Sequence, residues 1–320
     1  MALHVGDYRI SLDAKEPGAN LNFVSHAHSD HTGGVKKNSE ILCSEITRDL
    51  VRTRVRYDLK TVEKPSAVEL LNAGHMLGSK QLYVESEALG TVVYTGDYQM
   101  QKSPVAERIE IRQADTLIID STYPFPNVVF EEKEEVMTAM QHYIKARMDT
   151  GSVLFGAYAM GKAQELIRIC NDMGVTPIVD QGIARISEVY SKHGIRLDYV
   201  ERNLHEEIVY PDFSVPVWIV SMHRMDGVRA RVASMGKKIF TGLATGFAMM
   251  QRFNTDVQFA LSDHADFNQA VEYIEACRPR KIYTRGTGRD TFARNLKASG
   301  YNAEPLHGSA ELANLLSQKA

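Results

Sequence analysis

Cysteine is scarce: Cys43, Cys170 and Cys277 are the three in 320 residues, and they lie far apart. An odd, scattered set excludes a disulfide framework and contains no Cys-x-x-Cys metal clip. The three read as reduced thiols in a cytoplasmic protein. Long apolar runs are also missing. None approaches the roughly eighteen residues that cross a bilayer, and the start Met1–Asp7 lacks the basic and apolar parts of a signal peptide, so no membrane partner is expected. Charge of one sign is absent as well, with 37 Lys and Arg against 40 Asp and Glu. A polyanion would therefore have to be held by local basic groups or by a bound cation. The aromatic residues, 8% of the chain, form no evident stacking platform.

What is present in excess is histidine in one place. Ser25-His26-Ala27-His28-Ser29-Asp30-His31 puts three of the 11 histidines and a carboxylate into seven residues, directly after Leu21-Asn22-Phe23-Val24. Imidazole nitrogens and carboxylate oxygens are the donors that zinc and related ions prefer. His26 and His28 alternate as they would on a fading strand, so both point the same way. Asp30 and His31 then fall on a turn extended by Gly33 and Gly34, where they can face a second ion. A solvated loop that happens to hold histidines is the alternative, and three rings around one acid make a metal site the better reading.

Two patterns divide the rest of the chain. Up to about residue 125 short strands dominate: Tyr8–Asp13, Leu21–Ser25, Ala67–Leu71, Gln81–Glu85, Thr91–Gly96 and Thr116–Asp120, bounded by Gly, Asn and Asp turns. From residue 131 strands alternate with helices: helix Glu131–Met148, strand Ser152–Phe155, helix Lys162–Met173, strand Thr176–Val179 and a helix from about Ala184 to Lys192. Strands near Val215–Ser221 and Lys238–Thr241 complete an expected parallel α/β unit. Helix Asn268–Ala276, strand Lys281–Thr284 and helix Thr291–Ala298 follow. The expectation is an α/β protein in which a helix-rich unit interrupts a first domain that returns at the C-terminus.

Four further motifs suit a metal hydrolase. Gly74-His75-Met76-Leu77-Gly78-Ser79 offers an imidazole on a glycine-flanked loop. Tyr94-Thr95-Gly96-Asp97 ends a strand with an exposed carboxylate placed to bridge two ions, and Ile118-Ile119-Asp120-Ser121-Thr122-Tyr123 ends the next in the same way. Leu261-Ser262-Asp263-His264-Ala265-Asp266 sets a histidine between acids at a helix start. Singly, a strand-end aspartate is more often a cap than a ligand. Gly156-Ala-Tyr-Ala-Met-Gly161-Lys162-Ala163 has the spacing of a P-loop, but Ala163 lacks the hydroxyl that would bind magnesium. That turn can still offer backbone N–H groups and Lys162 to a phosphate.

His26-x-His28-x-Asp30-His31, Gly74-His75 and Gly96-Asp97 together resemble the metallo-β-lactamase-fold hydrolases, and Asp120 with His264 adds the pattern of their β-CASP branch. The likeness is nearest to DNA-ligase-associated exonucleases and archaeal mRNA 3′-end processing factors. The resemblance implies an αββα sandwich (1–125 and 246–320) with an inserted α/β β-CASP domain (126–245). It also implies a nuclease acting on RNA or single-stranded DNA, with exonuclease action expected and a homodimer left open. It assigns His26, His28 and His75 to one Zn2+, Asp30 and His31 to a second, and Asp97 to both, with Mn2+ as the alternative ion. Asp13 would stand behind a ligand and fix its tautomer. Asp30, Asp120 and His264 are the candidate catalytic groups, with His264 delivering a proton to the leaving oxygen. Two ions about 3.5–4 Å apart would neutralise the phosphodiester and activate water. Arg285, Ser79 and Lys162 are the candidate substrate-binding groups.

The chain departs from this pattern at Lys281-Ile282-Tyr283-Thr284-Arg285-Gly286, where relatives carry a histidine before the glycine. A guanidinium cannot ligate zinc. The expectation is one tight and one weaker metal site, with Arg285 supplying fixed charge to phosphate. The alternatives are a catalytically silent nucleic-acid binder and a hydrolase of thioesters or lactones on the same core. The inserted unit and the Asp120/His264 pair argue against the last.

Overall fold

A computed structural model describes residues 1–202, 216–234, 236 and 238–307; Val215, the first residue of one expected strand, lies outside them. The described residues form two compact units. One comprises Met1–Lys102, Ala106–Val129 and the described residues from His264 onward, and the other Ser103–Val105 with Phe130–Asp263. The helix-rich unit thus runs past residue 245, because strand Val257–Phe259 pairs in parallel with Ile239–Ala244 and stays in that unit's sheet.

In the first unit, β1 (Ala2–Val5), β2 (Tyr8–Leu12), β3 (Leu21–Phe23), β4 (Glu40–Leu42) and β5 (Lys60–Thr61) form one sheet in that order. Helix α1 (Glu45–Arg52) follows β4; its N-cap is Ser44, whose hydroxyl accepts from the Thr47 N–H at 3.0 Å. A second sheet takes β6 (Val68–Asn72), β7 (Lys80–Ser86), β8 (Gly90–Tyr94) and β9 (Thr116–Asp120), with β16 (Lys281–Arg285) and β17 (Ala303–Pro305) from the far end of the chain. Its order is β17-β16-β9-β8-β7-β6.

Alternation along these strands builds two cores, because successive side chains point to opposite faces. Leu82, Val84, Val92, Tyr94 and Ile118 join Leu3, Ile10, Leu12, Leu21 and Phe23 of the first sheet. Tyr83, Val93, Leu117 and Ile119 face the other way, against Phe267, Tyr273 and Ile274 of α6 (Phe267–Cys277) and Phe292 and Leu296 of α7 (Arg289–Ala298). Each fully buried aliphatic side chain contributes about 1.5–3 kcal/mol, so the strands are firmly fixed. Strands β6, β8, β9 and β16 run in the same direction, and their carboxyl ends share one sheet edge.

The second unit holds β10 (Ser152–Ala157), β11 (Ile178–Asp180), β12 (Val200–Arg202), β13 (Val217–Ser221), β14 (Ile239–Ala244) and β15 (Val257–Phe259). They lie in the order β12-β11-β13-β10-β14-β15, and every pairing is parallel. Strands β10 and β13 are buried throughout, as expected for parallel strands covered on both faces. The helices of this unit are α2 (Lys133–Lys145), α3 (Lys162–Asp172), α4 (Gln181–Lys192) and α5 (Met225–Ser234). Helix α4 starts three residues before the expected Ala184 because the Asp180 carboxylate accepts from the Ile183 N–H at 3.0 Å.

Candidate metal centre

The histidine run leaves the end of β3 under restraint. Lys80 N–H donates to the Ser25 carbonyl at 2.8 Å, and Arg54, beyond the end of α1, donates to the Ala27 carbonyl. Asp13, just past β2, is the hub behind the run. Its backbone sits in the left-handed region at φ 57°, a conformation that aspartate tolerates better than most residues. There its fully buried carboxylate accepts from Ser25 N–H at 2.7 Å, Ser25 Oγ at 2.6 Å and Tyr94 OH at 2.7 Å, and meets His31 Nδ1 at 2.8 Å.

This hub sets the rings. Ser25 gives its proton to Asp13, so its oxygen accepts from the His26 Nδ1–H, 3.0 Å away. His26 therefore turns the lone pair of Nε2 inward. His28 Nδ1 lies 3.1 Å from His26 Nε2 and 3.1 Å from His75 Nε2. Asp97 Oδ2 is 3.5 Å from His26 Nε2 and 3.8 Å from His75 Nε2. Four-coordinate zinc with metal–nitrogen bonds near 2.0 Å requires donor atoms about 3.3 Å apart. Three imidazole nitrogens and one carboxylate oxygen, with the separations above at 3.1–3.8 Å and all four residues offering a ligand atom within 4.8 Å of the others, fit such an ion.

Two glycines make the approach feasible. Gly74 has φ 75°, and a Cβ there would come within 2.3 Å of the Gln99 carbonyl oxygen; Gly96 has φ 56°, and its Cβ would meet Ser25 Cβ at 2.6 Å. Any larger residue would push His75 or Asp97 away from the centre.

Electrostatics reinforce the arrangement. Burial first, then the neighbouring rings of His31 and His75, push the His26 pKa well below its ordinary value, so its ring is neutral. Burial alone would raise Asp97, but His31, His264 and His26 hold it well below the usual carboxylate range. Burial would likewise lower His31, yet Asp97 and Asp13 raise it well above its ordinary value. His31 is thus an imidazolium held between Asp13 and Asp97, with Nε2 3.3 Å from Asp97 Oδ2 and 3.6 Å from the largely exposed Asp30.

Asp97, Asp120 and His264 form a second convergent group. His264 Nδ1 is 3.0 Å from Asp120 Oδ2, and its Nε2 is 3.9 Å from Asp97 Oδ2. Gln99 donates to the His264 carbonyl at 2.9 Å, and Thr122 donates to Asp120 at 3.0 Å. Asp120 also lies opposite Arg285 in the β9–β16 pairing.

This constellation coincides with similarity to known proteins. A probable DNA ligase of Opitutus terrae is 30% identical over 316 residues, covering 91% of this chain and 29% of that protein. The 5′ exonuclease Apollo of Gallus gallus is 29% identical over 179 residues, 51% of this chain and 38% of the relative. An RNase J-like protein of Methanocaldococcus jannaschii is 27% identical over 180 residues, 47% and 42% respectively. These matches agree with the resemblance of the chain to the β-CASP branch of the metallo-β-lactamase-fold hydrolases. It spans less than half the length of each of these relatives. No family model matches it.

Several of the expected placements differ in the structure. Asp97 is buried at 8% exposure rather than exposed, because Gly96 folds it back toward the rings. Ser79 is 1% exposed and its hydroxyl accepts from the Met76 N–H at 3.3 Å, so it closes the His75 loop. Lys162 is equally enclosed: its ammonium donates to Glu165 at 2.7 Å and to Asp263 at 2.5 Å. The N–H groups of Gly161 and Ala163 are also committed, to Gln164 and to the Tyr158 carbonyl. The Lys162 ammonium and two N–H groups of the P-loop-like turn are thus held within the protein. Arg285 is half-committed: it donates to Tyr94 OH and to the Leu12 carbonyl, 4.0 Å from Asp13, with a quarter of its side chain exposed. Ser25, Tyr94, Gln99 and Arg54 support the site without standing out in the sequence. Tyr94 carries the one available signal, since a core tyrosine hydroxyl needs a partner.

Proposed function

We propose that the chain is a metal-dependent phosphodiesterase that cleaves RNA or single-stranded DNA, with exonuclease action in the cytoplasm. In this reading the first unit is the metallo-β-lactamase αββα sandwich and Phe130–Asp263 is the inserted β-CASP domain. The observation that carries it is the convergence of His26 Nε2, His28 Nδ1, His75 Nε2 and Asp97 Oδ2 beside the His264–Asp120 pair. The names of the relatives, a DNA ligase, a 5′ exonuclease and an RNase J-like protein, support a nucleic-acid substrate without choosing between RNA and DNA.

The three histidines and Asp97 would hold Zn2+, with Mn2+ as the alternative. The bound ion supplies positive charge to the phosphodiester and lowers the pKa of the attacking water. Asp13 keeps His31 and, through Ser25, His26 in the required orientation. Asp120 holds His264 by Nδ1, which leaves Nε2 to protonate the departing oxygen. Arg285 adds fixed positive charge near Asp13. A second ion at Asp30 and His31 would have to displace the proton that His31 shares with two carboxylates, so that site is the weaker. The same arginine favours the second reading, a silent nucleic-acid binder.

Incubation with 5′- and 3′-labelled RNA and single-stranded DNA, with zinc or manganese, tests the proposal. Cleavage is expected from the wild type and not from a His26→Ala/His28→Ala variant, with one tightly held zinc per chain by elemental analysis. Cleavage that persists in the variant excludes the site. Binding without cleavage by the metal-loaded wild type selects the silent reading.

A further inference from the structure

The carboxyl ends of the second unit's strands form one continuous edge, and parallel α/β sheets bind ligands at that edge. Among the described residues, seven large apolar side chains are exposed, and four of them follow β10 or β14: Tyr158, Phe247, Met249 and Met250. Tyr158, 49% exposed, comes directly after β10. The register Gly156↔Leu243, continued, sets it level with Thr245, and Phe247 follows two residues later at 37% exposed. Neighbouring strands lie about 4.8 Å apart, so the two rings rise from adjacent strand ends. On the other side of β10 is β13, which runs directly into the turn Met222–Arg224 and places the exposed His223 and the partly exposed Arg224 on the same edge. Strand β15, also in this row, ends five residues before His264.

We propose that this strand-end row, with Tyr158 and Phe247 as stacking faces and His223-Arg224 as the phosphate contact, is a binding site for unpaired nucleotides. The inference rests on the nuclease reading above. Aromatic faces take unpaired bases of any sequence, and each stacked base contributes enough that losing its partner is readily measured. Paired bases present no open face to such rings, so the row selects single strands over duplex. Exposed aromatic rings flanked by basic groups supply both the stacking faces and the backbone contacts that a single strand requires.

Binding is read by fluorescence anisotropy in EDTA, which prevents cleavage, with oligo(dA), oligo(rA) and a blunt duplex as separate probes. Tyr158→Ala and Phe247→Ala should each weaken single-strand binding about tenfold or more. Tyr158→Phe should bind like the wild type, and duplex binding should be weak for all. Zinc content by elemental analysis should be unchanged in both alanine variants, so that a loss of strand binding is not a loss of the metal centre. Single-strand binding within twofold of wild type in both variants overturns the site, including the case in which the row serves another protein, while cleavage would leave the nuclease reading standing. A metal-loaded wild type that neither binds an oligonucleotide nor hydrolyses any diester overturns both. A larger effect on oligo(rA) than on oligo(dA), or the reverse, names the strand chemistry.

Discussion

Among the described residues, two clusters of four ionisable side chains stand out, one in each unit, and both are largely buried. In the first, His26, His28, His75 and Asp97 face one another; in the second, Lys133 and Lys162 face Glu165 and Asp263. The second cluster is closed. Lys133 donates to Glu165 at 2.8 Å, Lys162 to Glu165 and Asp263, and Ser103 adds a further donor to Glu165 at 2.8 Å. Two positive charges meet two negative ones, and the donors find acceptors inside the cluster. The first is different in kind: three ring nitrogens and a carboxylate oxygen converge, a donor set that zinc prefers. Burial of ionisable groups therefore does not mark function by itself; the kind of atoms brought together does.

The sharpest way to break the comparison is Asp97→Asn. It should abolish zinc retention and lower phosphodiester hydrolysis by about 10³-fold, read by elemental analysis and cleavage assay, while the urea midpoint of the metal-free protein changes little. Next in size is Glu165→Gln, which leaves two buried lysines short of a counter-charge and should cost roughly 3 kcal/mol in urea unfolding. Zinc content of the folded variant should equal that of the wild type; a matching fall in zinc would merge the two clusters into one device. Asp13→Asn should weaken zinc binding about 10–100-fold, measured by competition with a chelator. Asparagine tolerates the positive φ, so the backbone is kept and the carboxylate alone is tested.

The smallest effect is acid sensitivity. Burial would raise Asp263, but Lys162 and Lys133 hold it at about 2, below its ordinary 3.8. A depressed carboxyl contributes stability above its unfolded value and loses it as pH falls through the folded one. Stability of roughly 2 kcal/mol should therefore disappear between about pH 4 and pH 2. Urea midpoints at pH 5 and pH 2.5 should differ less in Asp263→Asn than in the wild type, and an equal difference would remove Asp263 from the closed cluster.

Much of the first cluster was legible in the chain because its chemistry is local. His26 and His28 sit two residues apart, and the strand-end positions of Asp97 and Asp120 follow from alternation in β8 and β9. Helices α2 and α3 likewise announce themselves by period. What the chain hid depends on distant partners. Lys162 looked like a phosphate ligand until Asp263, 101 positions away, took its ammonium. The Tyr94 hydroxyl finds Asp13, 81 positions away, only in the folded chain. Tyr158 and Phe247 are scattered in the sequence and reach one sheet edge only because β10 and β14 pair in parallel. Strand β15 was missed for a related reason, since three residues of fair apolarity mean little before β14 is beside them.

The return of the chain through β16 has a temporal consequence. The four donors His26, His28, His75 and Asp97 are all made within the first 97 residues, but β16, which pairs with β9, begins at Lys281. At about 5–20 residues per second of synthesis, its frame follows the ligands by roughly ten to forty seconds. His264 and Arg285 are late as well. On the ribosome, the nascent chain carries its histidines before the sheet edge that will hold them is complete, and the unit in between has time to fold first.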